Sequence, residues 1–142
     1  MRFERFCSSR VVIVAGKGGV GKTTVTAALA VSAARAGSRV LIIEVEGKSA
    51  LPALFDLSEL TYETILVAPG IEARTLTPDQ ALVEYLNDHG LRRISRRLAR
   101  LGVLDVVSGA IPGIKDILVL GKIKQLEQSA EADLILVDAP AA

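Results

Sequence analysis

The sequence predicts an α/β fold, a doubly wound, mainly parallel sheet with helices on both faces, and three observations predict it. Residues 11–15 form a short, continuous, β-branched run, the pattern of a strand buried on both faces rather than one with a wet side. Residues 39–44 and 132–138 repeat that signature. Between the first two runs lie a glycine-rich loop and an alanine-rich helical stretch. Strand, loop, helix and strand therefore make one βαβ unit, whose crossover is right-handed in nearly all folds.

In chain order, residues 22–36 carry small alanines with Val25, Leu29 and Val31, a helix with a thin side suited to lying close against a sheet. Gly37 follows where a left-handed helix cap falls. Residues 71–76 alternate as a more exposed strand. Thr77, Pro78 and Gln80 supply an N-cap, a first-turn proline and a capping-box glutamine, so a helix runs from Pro78 to about His89, where Gly90 stops it. A second helix, residues 91–101, sets Leu91, Ile94, Leu98 and Leu101 opposite Arg92, Arg93, Arg96, Arg97 and Arg100. It is expected to turn its apolar side to the core and its arginines to water, although a contact with an acidic partner, lipid headgroups or DNA stays open. Pro112 and Gly113 break the chain before a helix at about 114–128, and the last buried strand ends in Asp138. The chain reads as one domain over residues 1–142, with the helical segment of about 78–128 inserted between strands.

Half of the 142 residues are apolar, enough for a core, and a net charge of +1 gives no bulk electrostatic pull toward nucleic acid or an anionic membrane. The single cysteine, Cys7, excludes an internal disulfide and any Cys-x-x-Cys site. Charged or polar residues interrupt every apolar run before it reaches membrane-spanning length, and the first residues lack a secretory signal. The protein is expected in the cytoplasm. His89, beside a helix end, reads as a cap rather than a ligand.

Gly16, Lys17, Gly18, Gly19, Val20, Gly21, Lys22, Thr23 and Thr24 make a loop between buried strand and helix. Phosphate binding needs backbone N–H groups pointing inward around an anion, with φ angles and close approaches that glycine tolerates best. The helix start adds its dipole, Lys22 can reach the terminal phosphates of a nucleotide, and the Thr23 hydroxyl is placed to ligate magnesium. The loop thus predicts a P-loop NTPase type of sheet that binds a nucleoside triphosphate with Mg2+. One lysine suffices for such a loop, so Lys17 has another use.

With its second lysine, the loop resembles the deviant Walker ATPases, including arsenical pump-driving, guided-entry, septum-site and chromosome-partition ATPases and the nitrogenase iron protein. The resemblance implies that Lys17 reaches the nucleotide of a facing subunit, in a dimer that sandwiches two ATP molecules. Asp138, at the carboxyl end of a buried strand and followed by Ala139 and Pro140, has the setting of an aspartate that binds magnesium, usually through water. Those three residues are most similar to the arsenical pump-driving and guided-entry branch, though the glycine-histidine that follows there is not present here. Pro112, Gly113 and Asp116 before a long helix resemble it too, and the whole pattern looks most like bacterial anion-transporting ATPases.

Glu44 and Glu46 follow the second strand, near the same rim, and on a continuing strand they would share a face. In the relatives an aspartate matching Glu46 orients the attacking water, and here Glu46, Gly47 and Ser49 stand for its aspartate, proline and histidine. Glu46 is preferred to Glu44 as general base or water positioner, with Lys17 and Lys22 beside it in catalysis; the plain alternative is a solvated turn with Lys48 as ion-pair partner. The expected activity is ATP hydrolysis to ADP and phosphate by a homodimer, or with a related ATPase subunit, which sits in the cytoplasm or peripheral to the membrane and drives an anion-transport or membrane-protein-targeting partner. The rivals are a nucleotide-held regulatory scaffold with negligible turnover and a chromosome-partition ATPase; no nucleic-acid partner is expected on the leading reading. With no later strand to complete the sheet and nothing evident to hold the adenine, the chain is expected to be the amino-terminal part of a longer ATPase.

Overall fold

The computed structural model describes residues 10–46, 49–102 and 109–140, so Cys7 and Lys48 lie outside the described residues. In chain order the elements are β1 (Val11–Val14), α1 (Lys22–Arg35), β2 (Val40–Val45), α2 (Leu51–Leu54), β3 (Ile65–Ala68), β4 (Ile71–Leu76), α3 (Pro78–Asp88), α4 (Arg92–Leu101), α5 (Ile114–Ser129) and β5 (Leu134–Asp138). The chain forms two compact units, one of Met1–Leu76 with Leu126–Ala142, the other of Thr77–Gln125.

The first unit is built on a five-stranded sheet of order β1-β5-β2-β4-β3. β5 pairs in parallel with β1 and β2, β2 in parallel with β4, and β3 runs antiparallel to β4. The α/β, mainly parallel sheet is therefore as expected. Every residue of β5 and five of the six in β2 are buried, which suits their unbroken apolar sequences. β1 departs from that expectation: it lies at the edge of the described sheet, with Ile13 54% exposed. A β-branched run records strand preference, whereas the place of a strand in the sheet is set by pairing with segments far along the chain.

β4 corrects a second expectation. Only Glu72 is exposed, because β4 is flanked by β2 and β3. The Arg74 guanidinium lies 4.5 Å from the centre of the Tyr62 ring, with its Nε buried and without a hydrogen-bond partner among the described residues, and the Thr75 hydroxyl donates to the Glu44 carbonyl at 3.2 Å. β3, which the pattern did not predict, joins β4 through Pro69 and Gly70, the latter at φ 75°. α1 packs on the sheet by its small residues. Thr26, Ala30 and Ala33 fall on one face at helical spacing and are buried, the two alanines in one core cluster with Val40, Ile42, Leu134 and Leu136.

In the second unit, α3 begins at Thr77, whose side-chain oxygen accepts from the Gln80 N–H at 3.4 Å. The Gln80 side chain accepts from the Thr77 hydroxyl at 2.8 Å instead of reaching the Thr77 backbone N–H, so the capping box is a variant form. His89 is the C-cap of α3, its ring 4.2 Å from that of Tyr85. α4 forms where expected but packs differently. Ser95 is its buried residue, while Leu91, Ile94 and Leu101 are 40%, 48% and 68% exposed. Helical spacing reports which residues share a face, not whether anything covers that face.

Candidate functional site

The carboxyl ends of the parallel strands place the site. Val14, Asp138, Glu44 and Thr75 stand in one row across β1, β5, β2 and β4, the last paired row but one before β2 ends. Parallel strands lie about 4.8 Å apart, and residues in register point to the same face. Asp138 and Glu44 are therefore neighbouring carboxylates, 1% and 2% exposed. Burying a carboxylate is costly unless hydrogen bonds replace its water.

Asp138 has those replacements. Lys22 Nζ donates to Oδ1 at 3.0 Å and the Thr23 hydroxyl to Oδ2 at 2.9 Å, so the first two residues of α1 take one carboxylate oxygen each. Lys22 Nζ also donates to the Ala139 carbonyl oxygen. The local backbone explains the convergence. Gly19 and Gly21 adopt φ of 80° and 86°, left-handed values that cost an ordinary L-residue roughly 1–2 kcal/mol, and Gly21 is the N-cap from which α1 starts. At Gly16 a Cβ would come within 3.1 Å of Val20 Cγ2, a tight contact that the exposed Val20 side chain would have to relieve.

The loop borders a cavity of about 550 Å³, within the range typical of small-molecule sites. Lys17, Gly18, Gly19, Gly21, Lys22, Thr23 and Thr24 line it on one side, Val45, Glu46, Ser49 and Ala50 on another, and Asp138, Ala139 and Pro140 close it. Gly16 and Val20 are not among its lining residues. Lys17 is exposed and, among the described residues, has no carboxylate within ion-pair distance.

Glu44 and Glu46 do not share a face. β2 stops at Val45, and Glu46 turns out of the strand at φ 67°, held there by its N–H donating to the Leu76 carbonyl at 2.8 Å. Residues two apart share a face only on a strand that continues, and this turn ends it. Glu46 is exposed at the cavity, while Glu44 is buried beside Asp138 and accepts from the Ser49 hydroxyl. Ser49, which the sequence marked only as standing in place of a histidine, has a role that the sequence did not give it. Its hydroxyl joins the buried Glu44 to the cavity wall and also accepts from the Leu51 N–H at 3.1 Å, at the start of α2. Only the register of β2 against β5 makes the Glu44–Asp138 adjacency visible.

Among the described residues no three His, Cys, Asp or Glu side chains form a metal-holding group. The Thr23 and Asp138 oxygens nevertheless fit magnesium. Their 2.9 Å separation is that of adjacent vertices of an octahedron with bonds of about 2.0–2.1 Å, and Mg2+ takes one or two protein oxygens with phosphate and water as the rest.

Comparison with known proteins places the chain in a family. Residues 9–142 match the sequence model of the family described as Anion-transporting ATPase. The ATPase BagA of Mycobacterium tuberculosis is 34% identical over 149 residues, covering 96% of this chain and 44% of that protein. Arsenical pump-driving ATPases of Acidiphilium multivorum and Escherichia coli are 31% and 30% identical over 98 residues, covering 68% of this chain and 14% of theirs. The chain thus spans less than half the length of these curated relatives.

Proposed function

The chain belongs to the anion-transporting ATPase family, and from that premise we propose that it binds ATP with Mg2+ at the Gly16–Thr24 loop and hydrolyses it to ADP and phosphate. The observation that carries this reading is the convergence of Lys22, Thr23 and Asp138 at the mouth of the loop cavity. The loop N–H groups and the start of α1 bind the phosphates, and Lys22 exchanges Asp138 for a terminal phosphate oxygen. Thr23 and Asp138 would hold a magnesium ion, which would supply neutralisation of charge on the phosphate oxygens. Glu46, exposed on the cavity wall, positions the attacking water.

Lys17, exposed and without an ion-pair partner among the described residues, is suited to reach a second subunit's nucleotide, so the working unit is a dimer or a pair with a related subunit. That unit is cytoplasmic and drives an anion-transport or membrane-protein-targeting partner. The turn at Glu46 favours a second reading, a nucleotide-held scaffold with negligible turnover, because the acid is carried by a loop and not by a strand.

Lys22→Ala is expected to weaken ATP binding by at least a hundredfold, about 2.7 kcal/mol or more by equilibrium titration. Glu46→Gln is expected to retain ATP binding and lose steady-state phosphate release. Unchanged release would remove Glu46 from the mechanism; ATP binding with background release in the unmodified protein would establish the scaffold.

A further inference from the structure

We propose that α4 docks on an anionic lipid surface, with its arginines at the phosphate headgroups and Ile94 and Leu101 in the acyl boundary. The helix holds five arginines and no acid in ten residues. At about 100° per residue the arginines fall on one arc of roughly 140°, and Ile94 and Leu101 continue that arc beyond Arg97. Ser95, 3% exposed, lies on the opposite side and anchors the helix to its own unit. The outward surface is therefore continuous, basic and then apolar.

Two further observations separate this face from an ordinary solvated one. Among the described residues none of the five guanidinium groups has a carboxylate within ion-pair distance, although surface arginines readily find one. The near-neutral total also conceals a division. Thr77–Gln125 has eight basic and five acidic residues, net +3, and the rest of the chain has nine and eleven, net −2. A partner of opposite charge is called for, and the exposed Ile94 and Leu101 require it to have an apolar interior within a side chain's reach. A lipid leaflet provides both, since arginine stems lie along the apolar boundary while their heads stay in the phosphate layer. A nucleic acid would take the arginines but leave the two aliphatic side chains wet, and α4 carries no aromatic residue on which a base could stack. Among the described residues no helix is long and apolar enough to cross a membrane, so the contact is in-plane.

The proposal is independent of the ATPase reading and is tested without nucleotide. The purified protein is sedimented with vesicles of phosphatidylcholine alone or with about one third phosphatidylglycerol. Binding is expected only to the anionic vesicles, and each arginine contributes about a fivefold factor, so Arg93→Gln with Arg96→Gln and Arg97→Gln should lower partitioning about a hundredfold. The protein has no tryptophan, so Leu101→Trp places a lone reporter at an exposed position. Its emission should shift to the blue on anionic vesicles and stay unchanged with duplex DNA. Failure to bind anionic vesicles would overturn the proposal. Equal binding to neutral vesicles would do the same, as would arginine-dependent DNA binding with no blue shift on lipid.

Discussion

Asp138 shows how a single side chain can serve the fold and the proposed chemistry at once. Its carboxylate is fully buried, and the Lys22 side chain that neutralises it is 12% exposed. Removing one member of such a pair leaves a charge with neither water nor partner, which costs about 3 kcal/mol or more. Asp138→Ala is therefore expected to lower unfolding free energy by about 3 kcal/mol in urea titration. Lys22→Met, which removes the other charge, should also destabilise, whereas the double replacement should recover part of the loss because neither charge remains. A double mutant no better than the sum of the singles would show that the pair does not couple. The aspartate was legible in sequence from its place at the end of an apolar run. Its neighbour Glu44 was not, because which residues stand beside each other across a parallel sheet depends on register, and register is not written in either strand alone.

At the scale of elements, local chemistry was read well and tertiary cover was read poorly. α3 begins where Thr77 and Pro78 indicate, since capping is settled within four residues of chain. Thr77→Ala is expected to cost about 1 kcal/mol by removing the acceptor for the Gln80 N–H, visible as a lower denaturation midpoint. β3 was missed because four residues before a proline-glycine turn are too short a run to show a period. β4 was read as exposed from its alternation, yet the partners of Arg74 and Thr75 lie outside the strand, on Tyr62 and Glu44. α4 departs for the opposite reason: its apolar spacing is helical, yet Ile94 and Leu101 stay 48% and 68% exposed.

At the scale of the whole molecule, the amino ends of the strands are fastened by a clasp between residues far apart in sequence. The Arg39 backbone N–H donates to Asp133 Oδ2 at 2.8 Å, its Nη2 to Oδ1 at 3.1 Å, and the Asp133 N–H returns a bond to the Arg39 carbonyl at 2.8 Å. The Arg39 side chain, with its backbone N–H, holds the Asp133 carboxyl below the ordinary aspartate range, and Asp133 raises the Arg39 guanidinium in turn. A carboxyl with a depressed folded-state pKa adds stability that is present above its unfolded value and lost as pH falls through the folded one. From about pH 4 downward, melting temperature in Asp133→Asn should therefore fall less steeply than in the unmodified protein. Both groups are open to solvent, so the difference should be small and should shrink in salt. Parallel slopes would deny the clasp any part in acid sensitivity.

The contact between Lys22 and Asp138 has one more consequence, for the order in which ligands arrive. A lysine drawn to a phosphate leaves Asp138 bare, and a cation drawn to Asp138 displaces the lysine. Each event alone breaks a charge pair, and the two together make a new one. On the proposed function nucleotide and magnesium are thus thermodynamically coupled, each tightening the other by the same factor, and the protein selects the metal-nucleotide complex over either component. That preference would reside in an internal ion pair that either ligand, arriving alone, has to break.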